Sequence, residues 1–286
     1  MSTVKNYLSL VKFSHTIFAL PFAVIGFFLA VSTTETELNW MTLGLVILCM
    51  VFARSAAMAF NRYLDRDIDV DNERTAIREI PTGDIKAKSA LLFVIANCLL
   101  FIGSTYFINS LCFYLSPVAL AVVLGYSYTK RFTALCHLVL GVGLSLAPIG
   151  AFLAVTGEFM LLPLLFSFAV LFWVSGFDII YALQDEEFDK SHQLHSIPVW
   201  LGTKGALNLS NLFHMLTALS IIFAGYYGGF SWIYWIGAAF FCGLLIYQHL
   251  LVKPNDLSKI NLAFFTTNGI ASVIFAIFVL ADIYVN

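Results

Sequence analysis

The chain has 286 residues, of which 60% are hydrophobic and 11% are charged, and its formal net charge at pH 7 is −2. A typical soluble domain carries roughly 25% charged residues, so this chain has too few charges to cover a soluble surface. The composition excludes an ordinary soluble enzyme, a disordered chain and a nucleic-acid binder, whose basic surface is missing here. It indicates a polytopic membrane protein.

Nine apolar segments are long enough to cross a membrane as helices, since a span needs about 20 apolar residues. They cover residues 14–32, 40–60, 88–108, 111–129, 135–155, 160–181, 206–226, 231–252 and 261–283. The third and fourth segments nearly meet at residues 109–110, which predicts a very tight turn. The sequence therefore predicts an all-α transmembrane bundle of about nine spans that forms a single domain over residues 1–286.

The basic residues indicate the orientation of this bundle. All Lys and Arg residues lie in alternate connections, namely the N-terminal segment and residues 54–88, 130–131, 190–204 and 253–259. The positive-inside rule then places the N-terminus in the cytoplasm and the C-terminus outside. The two longest connections, 61–87 and 182–205, face the cytoplasm in this arrangement. We expect a multi-pass protein of the cytoplasmic membrane whose chemistry takes place at these two loops.

The first long loop carries oxygen ligands and cations at helical spacing. Asn61, Asp65 and Asp69 follow one another at intervals of four residues, so a helical continuation of the second span stacks them on one face. Mg²⁺ typically takes one or two carboxylates and fills its other positions with water and substrate phosphates. Arg74 and Arg78 repeat the four-residue spacing, and guanidinium groups bind phosphate in a bidentate manner.

Two other interpretations of this loop can be compared with its sequence. The first is a solvated cytoplasmic loop whose charges pair with one another and set the topology. The second is a calcium-binding loop, because aspartates alternate from Asp65 to Asp71. The calcium pattern fails, since Val70 stands where a glycine is required and Ala76 where a glutamate is required.

The second long loop repeats the acidic pattern. Asp185 and Asp189 are again four residues apart, and each follows its counterpart in the first loop, Asp65 or Asp69, by 120 residues. Both pairs follow an even-numbered span and thus lie at the same membrane face. Asp178 lies deeper, within an apolar run, where ionisable residues are costly and are functional candidates. The two acidic clusters are therefore expected to face one another across the bundle.

Three further cations belong to the same side. Arg54 precedes Asn61 by seven residues, on the same helical face and inside an apolar stretch, so we expect it to bind an anion. Lys130 and Arg131 end the fourth span, where a simple topology anchor is the alternative interpretation.

Carboxylate pairs and phosphate-binding cations that open on an apolar bundle suit a substrate with a diphosphate head and a long hydrocarbon tail. Mg²⁺ neutralises charge that develops on a leaving diphosphate. Ionisation leaves an allylic carbocation, which requires a dry cavity. A secondary transporter is the alternative from another class. The outer connections of this chain carry few charges, which disfavours the transporter interpretation.

The motifs resemble those of a known family. Asn61-x-x-x-Asp65-x-x-x-Asp69, followed by Arg74-Thr75-x-x-Arg78-x-x-Pro81-x-Gly83, is similar to the first signature of the UbiA membrane prenyltransferases. Tyr181-Ala182-x-Gln184-Asp185-x-x-x-Asp189 resembles the second signature, in the form seen in 4-hydroxybenzoate polyprenyltransferases. The Tyr126 to Arg131 segment resembles the tyrosine-plus-basic segment of that group. The similarity covers nearly the whole chain.

The resemblance implies a role for each candidate residue, in a helical bundle around a central cavity. Mg²⁺ would be held by Asn61, Asp65, Asp69, Asp185 and Asp189. The diphosphate would be held by Arg74, Arg78 and Lys130, with Arg131 as a lesser candidate. Asp178 and Tyr181 would lie near the reacting centre, and Arg54 would receive the carboxylate of an aromatic acid. One departure is Arg62, which stands where the family often has aspartate.

The function implied by the resemblance is transfer of a polyprenyl group to an aromatic acid, most simply 4-hydroxybenzoate, in ubiquinone or menaquinone biosynthesis. The alternatives within the same chemistry are a dihydroxynaphthoate-type acceptor and another acceptor such as haem. The expected partners are polyprenyl diphosphate, the aromatic acid and membrane lipid, with no nucleic acid and no evident protein partner.

Overall fold

The computed structural model describes residues 3–11, 18–34 and 37–285, and within these ranges the chain is helical without β-strands. The helices are α1 (Thr3–Leu10), α2 (Leu20–Thr34), α3 (Trp40–Leu64), α4 (Arg66–Asp69), α5 (Ala87–Ile108), α6 (Ser110–Thr129), α7 (Cys136–Thr156), α8 (Leu161–Ala182), α9 (Glu186–Ser191), α10 (Ile197–Tyr227), α11 (Trp232–Leu251) and α12 (Asn268–Val285). A 3₁₀ turn, Leu183–Asp185, joins α8 to α9, and a π-helical segment, Leu262–Thr267, precedes α12.

Nine of the twelve described helices, α2, α3, α5–α8 and α10–α12, correspond in order to the nine predicted spans. In the described part of the chain, eight helical segments are long and apolar enough to cross a membrane, and α2 is a shorter apolar helix. Residues 14–17 of the first predicted span lie outside the described residues. The predicted all-α, multi-pass fold is thus confirmed. Which end of the bundle faces the cytoplasm stays a prediction from the Lys and Arg pattern.

The tight turn between the third and fourth spans depends on Asn109. Its Oδ1 accepts a hydrogen bond of 2.8 Å from the backbone N–H of Cys112 and so caps the start of α6. Its Nδ2 donates to the carbonyl oxygen of Leu153 in α7 at 2.8 Å. One side chain therefore closes the turn and ties it to a neighbouring helix.

Helix α10 begins earlier than the predicted start at residue 206. Ser196 caps it, because its Oγ accepts a hydrogen bond from the backbone N–H of Val199. Pro198 lies in the first turn, where the missing N–H is tolerated. The helix is interrupted at Gly202, whose φ of 67° is a conformation that only glycine adopts without strain. Residues 202–205 separate the short apolar stretch 197–201 from the long apolar run that follows, which explains the late predicted start.

One half of the bundle is solidly packed with aromatic side chains. Phe22, Trp173, Phe241 and Phe275 come from α2, α8, α11 and α12 and are fully buried against one another. Such contacts stabilise a membrane bundle through close packing, because lipid offers helices little hydrophobic driving force to associate. The aromatic side chains of α2, α8, α11 and α12 thus form a closely packed core.

Asp282 in α12 ties two helices together at the end of the bundle opposite the acidic loops. Its side chain is buried and accepts hydrogen bonds from the backbone N–H and the hydroxyl of Ser231 and from the backbone N–H of Tyr234. These donors belong to the first turn of α11, where backbone N–H groups have no partner within the helix. Asp282 therefore has a structural role.

Helices α7 and α8 approach one another closely near the acidic loops. A side chain at Gly141 would collide with the hydroxyl of Ser175 and the backbone of Leu171. The Ser175 hydroxyl lies 3.2 Å from the carbonyl oxygen of His137, to which it donates a hydrogen bond, and 2.7 Å from that of Leu171. The start of α7 is thus held in a fixed position against the last turns of α8.

Candidate active site

A polar cavity of about 180 Å³ lies at the end of the bundle where α3, α6 and α8 finish. Every site residue predicted from the sequence lines it, except Arg54. The residues brought together are Asn61, Asp65, Asp69, Arg74, Arg78, Lys130, Arg131, Asp178, Tyr181, Asp185 and Asp189. Two loops that are far apart in the sequence therefore meet at one site.

The first acidic segment keeps its helical register through a break. Helix α3 ends at Leu64, yet the backbone N–H of Asp65 still bonds the carbonyl of Asn61, and that of Asp69 bonds the carbonyl of Asp65. The Asn61 amide also donates to the Asp65 carboxylate at 3.0 Å. These bonds hold the three side chains along one wall of the cavity.

The Arg62 side chain points in a different direction from that of its neighbour Asn61. Its side chain is 4% exposed, does not line the polar cavity, and has Nε and Nη1 buried without hydrogen-bond partners. Successive helical residues point about 100° apart, which accounts for the separation. The arginine at this position leaves the carboxylates of the cavity in place.

The second acidic segment closes the cavity from the other side. The 3₁₀ turn after α8 ends at Asp185, and α9 carries Asp189, so both carboxylates turn back towards the first loop. Both residues are buried. The side-chain amide of Asn72 in the first loop donates to Asp185 Oδ1 at 3.3 Å. The predicted arrangement of two acidic clusters across the bundle is present in the structure.

Of the four carboxylates predicted to hold the metal, Asp69 and Asp185 pair with arginines of the first loop. Arg74 meets Asp185 through two contacts, Nε to Oδ1 at 3.2 Å and Nη2 to Oδ2 at 2.5 Å. Arg78 Nη1 lies 2.6 and 2.8 Å from the two oxygens of Asp69. Charge-assisted hydrogen bonds of this kind are among the stronger polar contacts in proteins. The Arg74 pair joins the two acidic loops to one another.

The other two carboxylates pair with the end of α6. Lys130 Nζ lies 2.6 Å from Asp189 Oδ1, and Arg131 Nη1 lies 3.0 Å from Asp65 Oδ1. Each cation predicted to hold the diphosphate thus meets one carboxylate predicted to hold the metal. Four of the five carboxylates that line the cavity are thus paired with Lys or Arg side chains of the protein.

The donor set of the cavity fits a divalent cation. Carboxylate and amide oxygens are the ligands that Mg²⁺ prefers. Asp189 has a fully buried side chain whose polar partners are Lys130 and Ser196. Burial raises the pKa of the Asp65 carboxyl, a shift that Arg131 opposes, so a nearby cation favours its ionised form. Among the described residues, no group of three or more His, Cys, Asp or Glu side chains is arranged to hold a metal ion, and four of the cavity carboxylates lie against Lys or Arg.

Asp178 differs from the other carboxylates of the cavity, because its partner is a histidine. Its Oδ2 lies 2.7 Å from Nδ1 of His137, which is buried at the start of α7 and also lines the cavity. The sequence analysis missed His137. Its position at the start of the fifth span, on the same side as Asp178, was the available signal.

Tyr181 connects the polar cavity with the aromatic core. Its hydroxyl lies 3.2 Å from Arg74 Nη1, and its ring stacks on Phe264 with centroids 4.1 Å apart. The Arg74 guanidinium carbon is also 5.5 Å from the centroid of the Tyr181 ring. An aromatic face therefore lies directly beside the charged groups.

A second cavity of about 390 Å³ adjoins the first and is almost entirely apolar. It lies between α3, α5, α6 and α7, and Tyr126 lines both cavities. Among the described residues that line it, Arg54 alone is charged, and its Nε is buried without a hydrogen-bond partner. A buried arginine nitrogen of this kind is costly unless an anion meets it. The geometry gives a polar chamber and an apolar one with a shared wall.

Residues 19–270 match the model of the UbiA prenyltransferase family. The chain belongs to this family. The match confirms the resemblance that the two acidic motifs indicate.

Curated relatives of this UbiA family member agree with that membership. The 4-hydroxybenzoate octaprenyltransferase of Alcanivorax borkumensis is 34% identical over 207 residues, which cover 72% of this chain and 71% of the relative. The 4-hydroxybenzoate octaprenyltransferase of Nitrosospira multiformis is 31% identical over 230 residues, with 80% and 79% covered.

Solved structures of UbiA homologs have the same fold. The apo structure of a UbiA homolog from Aeropyrum pernix K1 is 32% identical, has a TM-score of 0.84 and covers 94% of this chain and 98% of its own. A UbiA homolog from Archaeoglobus fulgidus, solved with GPP and Mg²⁺, has a TM-score of 0.72 at 22% identity, with 98% and 100% covered. The second likeness concerns the fold alone.

Proposed function

We propose that this UbiA family member is a Mg²⁺-dependent prenyltransferase that joins a polyprenyl group from its diphosphate to 4-hydroxybenzoate in respiratory quinone biosynthesis. The observation that carries the proposal is the polar cavity of paired carboxylates and cations beside an apolar cavity. The curated relatives in Alcanivorax borkumensis and Nitrosospira multiformis bear the name of this activity. The active-site loops face the cytoplasm.

The charged residues bind the head of the prenyl substrate by exchanging partners. Arg74, Arg78, Lys130 and Arg131 leave their carboxylates and donate to diphosphate oxygens, for which guanidinium groups are well suited. The carboxylates released in this way, with Asn61, are the residues that would hold the metal: Asp65, Asp69, Asp185 and Asp189. Mg²⁺ supplies neutralisation of the charge that develops on the leaving diphosphate.

The apolar cavity receives the hydrocarbon tail and keeps the reacting carbon dry. Water excluded from this chamber cannot quench the allylic cation that forms when the diphosphate leaves. The Tyr181 ring offers an aromatic face to that cation. Arg54 binds the carboxylate of the aromatic acid and so turns the acceptor ring towards the prenyl carbon. The ring carbon ortho to the hydroxyl then forms the new bond.

The test uses the purified full-length protein with Mg²⁺, octaprenyl diphosphate and 4-hydroxybenzoate, with the product identified by mass spectrometry. A panel containing a dihydroxynaphthoate defines the acceptor. Absence of any prenylated aromatic product refutes the proposal. A product formed from the naphthoate alone refutes the assignment of the acceptor.

A matched set of variants tests the metal role. Asp65→Ala and Asp185→Ala each remove a carboxylate of the cavity and should abolish measurable transfer. Asp67→Ala is the control, because Asp67 lies in the same segment with its side chain 80% exposed. Transfer by Asp65→Ala or Asp185→Ala within a few-fold of the control contradicts the proposed metal ligands.

A further inference from the structure

The pair formed by His137 and Asp178 has a defined hydrogen-bonding direction. The backbone N–H of Ile197 donates to His137 Nε2 at 3.3 Å, so the lone pair of this imidazole lies on Nε2. The proton therefore lies on Nδ1, which donates to Asp178 Oδ2 at 2.7 Å. Because a main-chain group at the start of α10 selects the tautomer, the direction of the bond is built into the fold.

The pair is also held rigidly. The carbonyl oxygen of His137 accepts a hydrogen bond from Ser175, one turn before Asp178 on α8. The close contact at Gly141 fixes the same two helices against one another. His137 is 4% exposed, and the Asp178 side chain is 17% exposed towards the cavity that both residues line. The histidine is enclosed, while the carboxylate reaches the chamber.

Asp178 is the cavity carboxylate that forms no ion pair with Lys or Arg among the described residues. Asp65, Asp69, Asp185 and Asp189 each form an ion pair with Lys or Arg. Among the described residues, the hydrogen bond from His137 is the polar contact of Asp178, and its Oδ1 accepts none. A carboxylate that neither a metal nor a phosphate-binding cation occupies remains available to accept a proton.

The proposed reaction requires such an acceptor. The prenyl carbon–oxygen bond breaks with its electron pair leaving on the diphosphate, and the ring carbon ortho to the hydroxyl forms the new carbon–carbon bond. That carbon still bears its hydrogen, and the ring becomes aromatic again when the proton leaves and the electron pair of the C–H bond returns to the ring. A positioned base accelerates such a transfer by about 10²–10⁴-fold.

We propose that Oδ1 of Asp178 accepts this ring proton and that His137 is the positioning residue that holds the carboxylate for it. The inference rests on the proposed prenyl transfer. The Nδ1–H group of His137 fixes Oδ2, which leaves Oδ1 without a hydrogen-bond partner among the described residues of the cavity. The carboxylic acid formed in the step releases its proton to water in the polar cavity when the product leaves.

The test measures the isotope effect of an acceptor deuterated at both ring carbons ortho to the hydroxyl. In the wild type we expect ionisation of the prenyl diphosphate to limit the rate, so deuteration should have little effect. His137→Gln places its amide nitrogen away from the Nδ1 position and should slow transfer about 10²-fold with a primary isotope effect. His137→Asn places an amide N–H near the Nδ1 position and should restore the rate to within a few-fold of the wild type.

Two controls separate a positioning role from a structural one. His249→Leu removes a different buried contact, the 2.8 Å hydrogen bond to His214, and should show no isotope effect even if it lowers stability. Asp178→Asn should show the same isotope effect as His137→Gln. Equal impairment of His137→Asn and His137→Gln, or slow transfer by His137→Gln without an isotope effect, overturns the inference. Failure of the wild type to prenylate any acceptor instead refutes the proposed function.

Discussion

Asp185→Asn should have opposite effects on two kinds of binding. In the structure this carboxylate forms two contacts with Arg74, at 3.2 and 2.5 Å, which an incoming phosphate must break. A charge-assisted hydrogen bond contributes about 1.5–3 kcal/mol. The Arg74 side chain is 35% exposed, so the lower end of this range applies to the pair. Freeing the guanidinium should therefore tighten binding of metal-free pyrophosphate about tenfold, since about 1.4 kcal/mol corresponds to a factor of ten.

With Mg²⁺ present the sign of the effect reverses. An amide is a poorer metal ligand than a carboxylate, and even outer partners of a metal site cost about 10–100-fold in affinity or activity when they are removed. Prenyl transfer by Asp185→Asn should thus fall at least about 10²-fold. Calorimetric titration with pyrophosphate in EDTA and a turnover assay in Mg²⁺ measure the two effects. Asp67→Asn removes an equal charge from an exposed position as the control. If Asp185→Asn binds metal-free pyrophosphate no more tightly than this control, the partner exchange is refuted.

Two further predictions concern the apolar cavity and the far end of the bundle. Arg54→Gln should raise the KM for 4-hydroxybenzoate about tenfold or more, because a charged hydrogen bond contributes about 1.5–3 kcal/mol. The KM for the prenyl diphosphate should stay nearly unchanged. Equal changes in the two KM values would contradict the proposal that Arg54 binds the carboxylate of the acceptor. Asp282→Ala should lower the free energy of unfolding by about 1–3 kcal/mol, because the buried backbone N–H of Tyr234 loses its acceptor. A thermal melt checks this, and an unchanged Tm would show that the capping contact contributes little.

The transmembrane fold could be predicted because each helix in lipid must satisfy its own backbone and present a continuous apolar run. The tight turn at Asn109 followed from the same counting of residues. The early start of α10 did not, because residues 202–205 are not apolar and separate its first residues from the apolar run that begins at residue 206. The π-helical segment before α12 was not predicted either.

The candidate site shows the same division between local and long-range information. The carboxylates at four-residue intervals could be found in the sequence, because helical spacing is local. The partner of each carboxylate could not, since Arg74 meets Asp185 across 111 residues. His137 was missed for a similar reason, because its contact with Asp178 depends on how α7 lies against α8.

The charge balance of the polar cavity bears on selectivity among the phosphates of a bilayer. Phospholipid headgroups are abundant at the surface of a bilayer, and each carries a phosphate. A headgroup that drew Arg74 and Lys130 away would leave Asp185 and Asp189 buried without counter-charges, which is unfavourable. A ligand that brings divalent cations together with its phosphates satisfies both halves of the cavity at once. If the proposed function is correct, we therefore expect the ion pairs to favour a metal-bound diphosphate over the phosphates of common lipids.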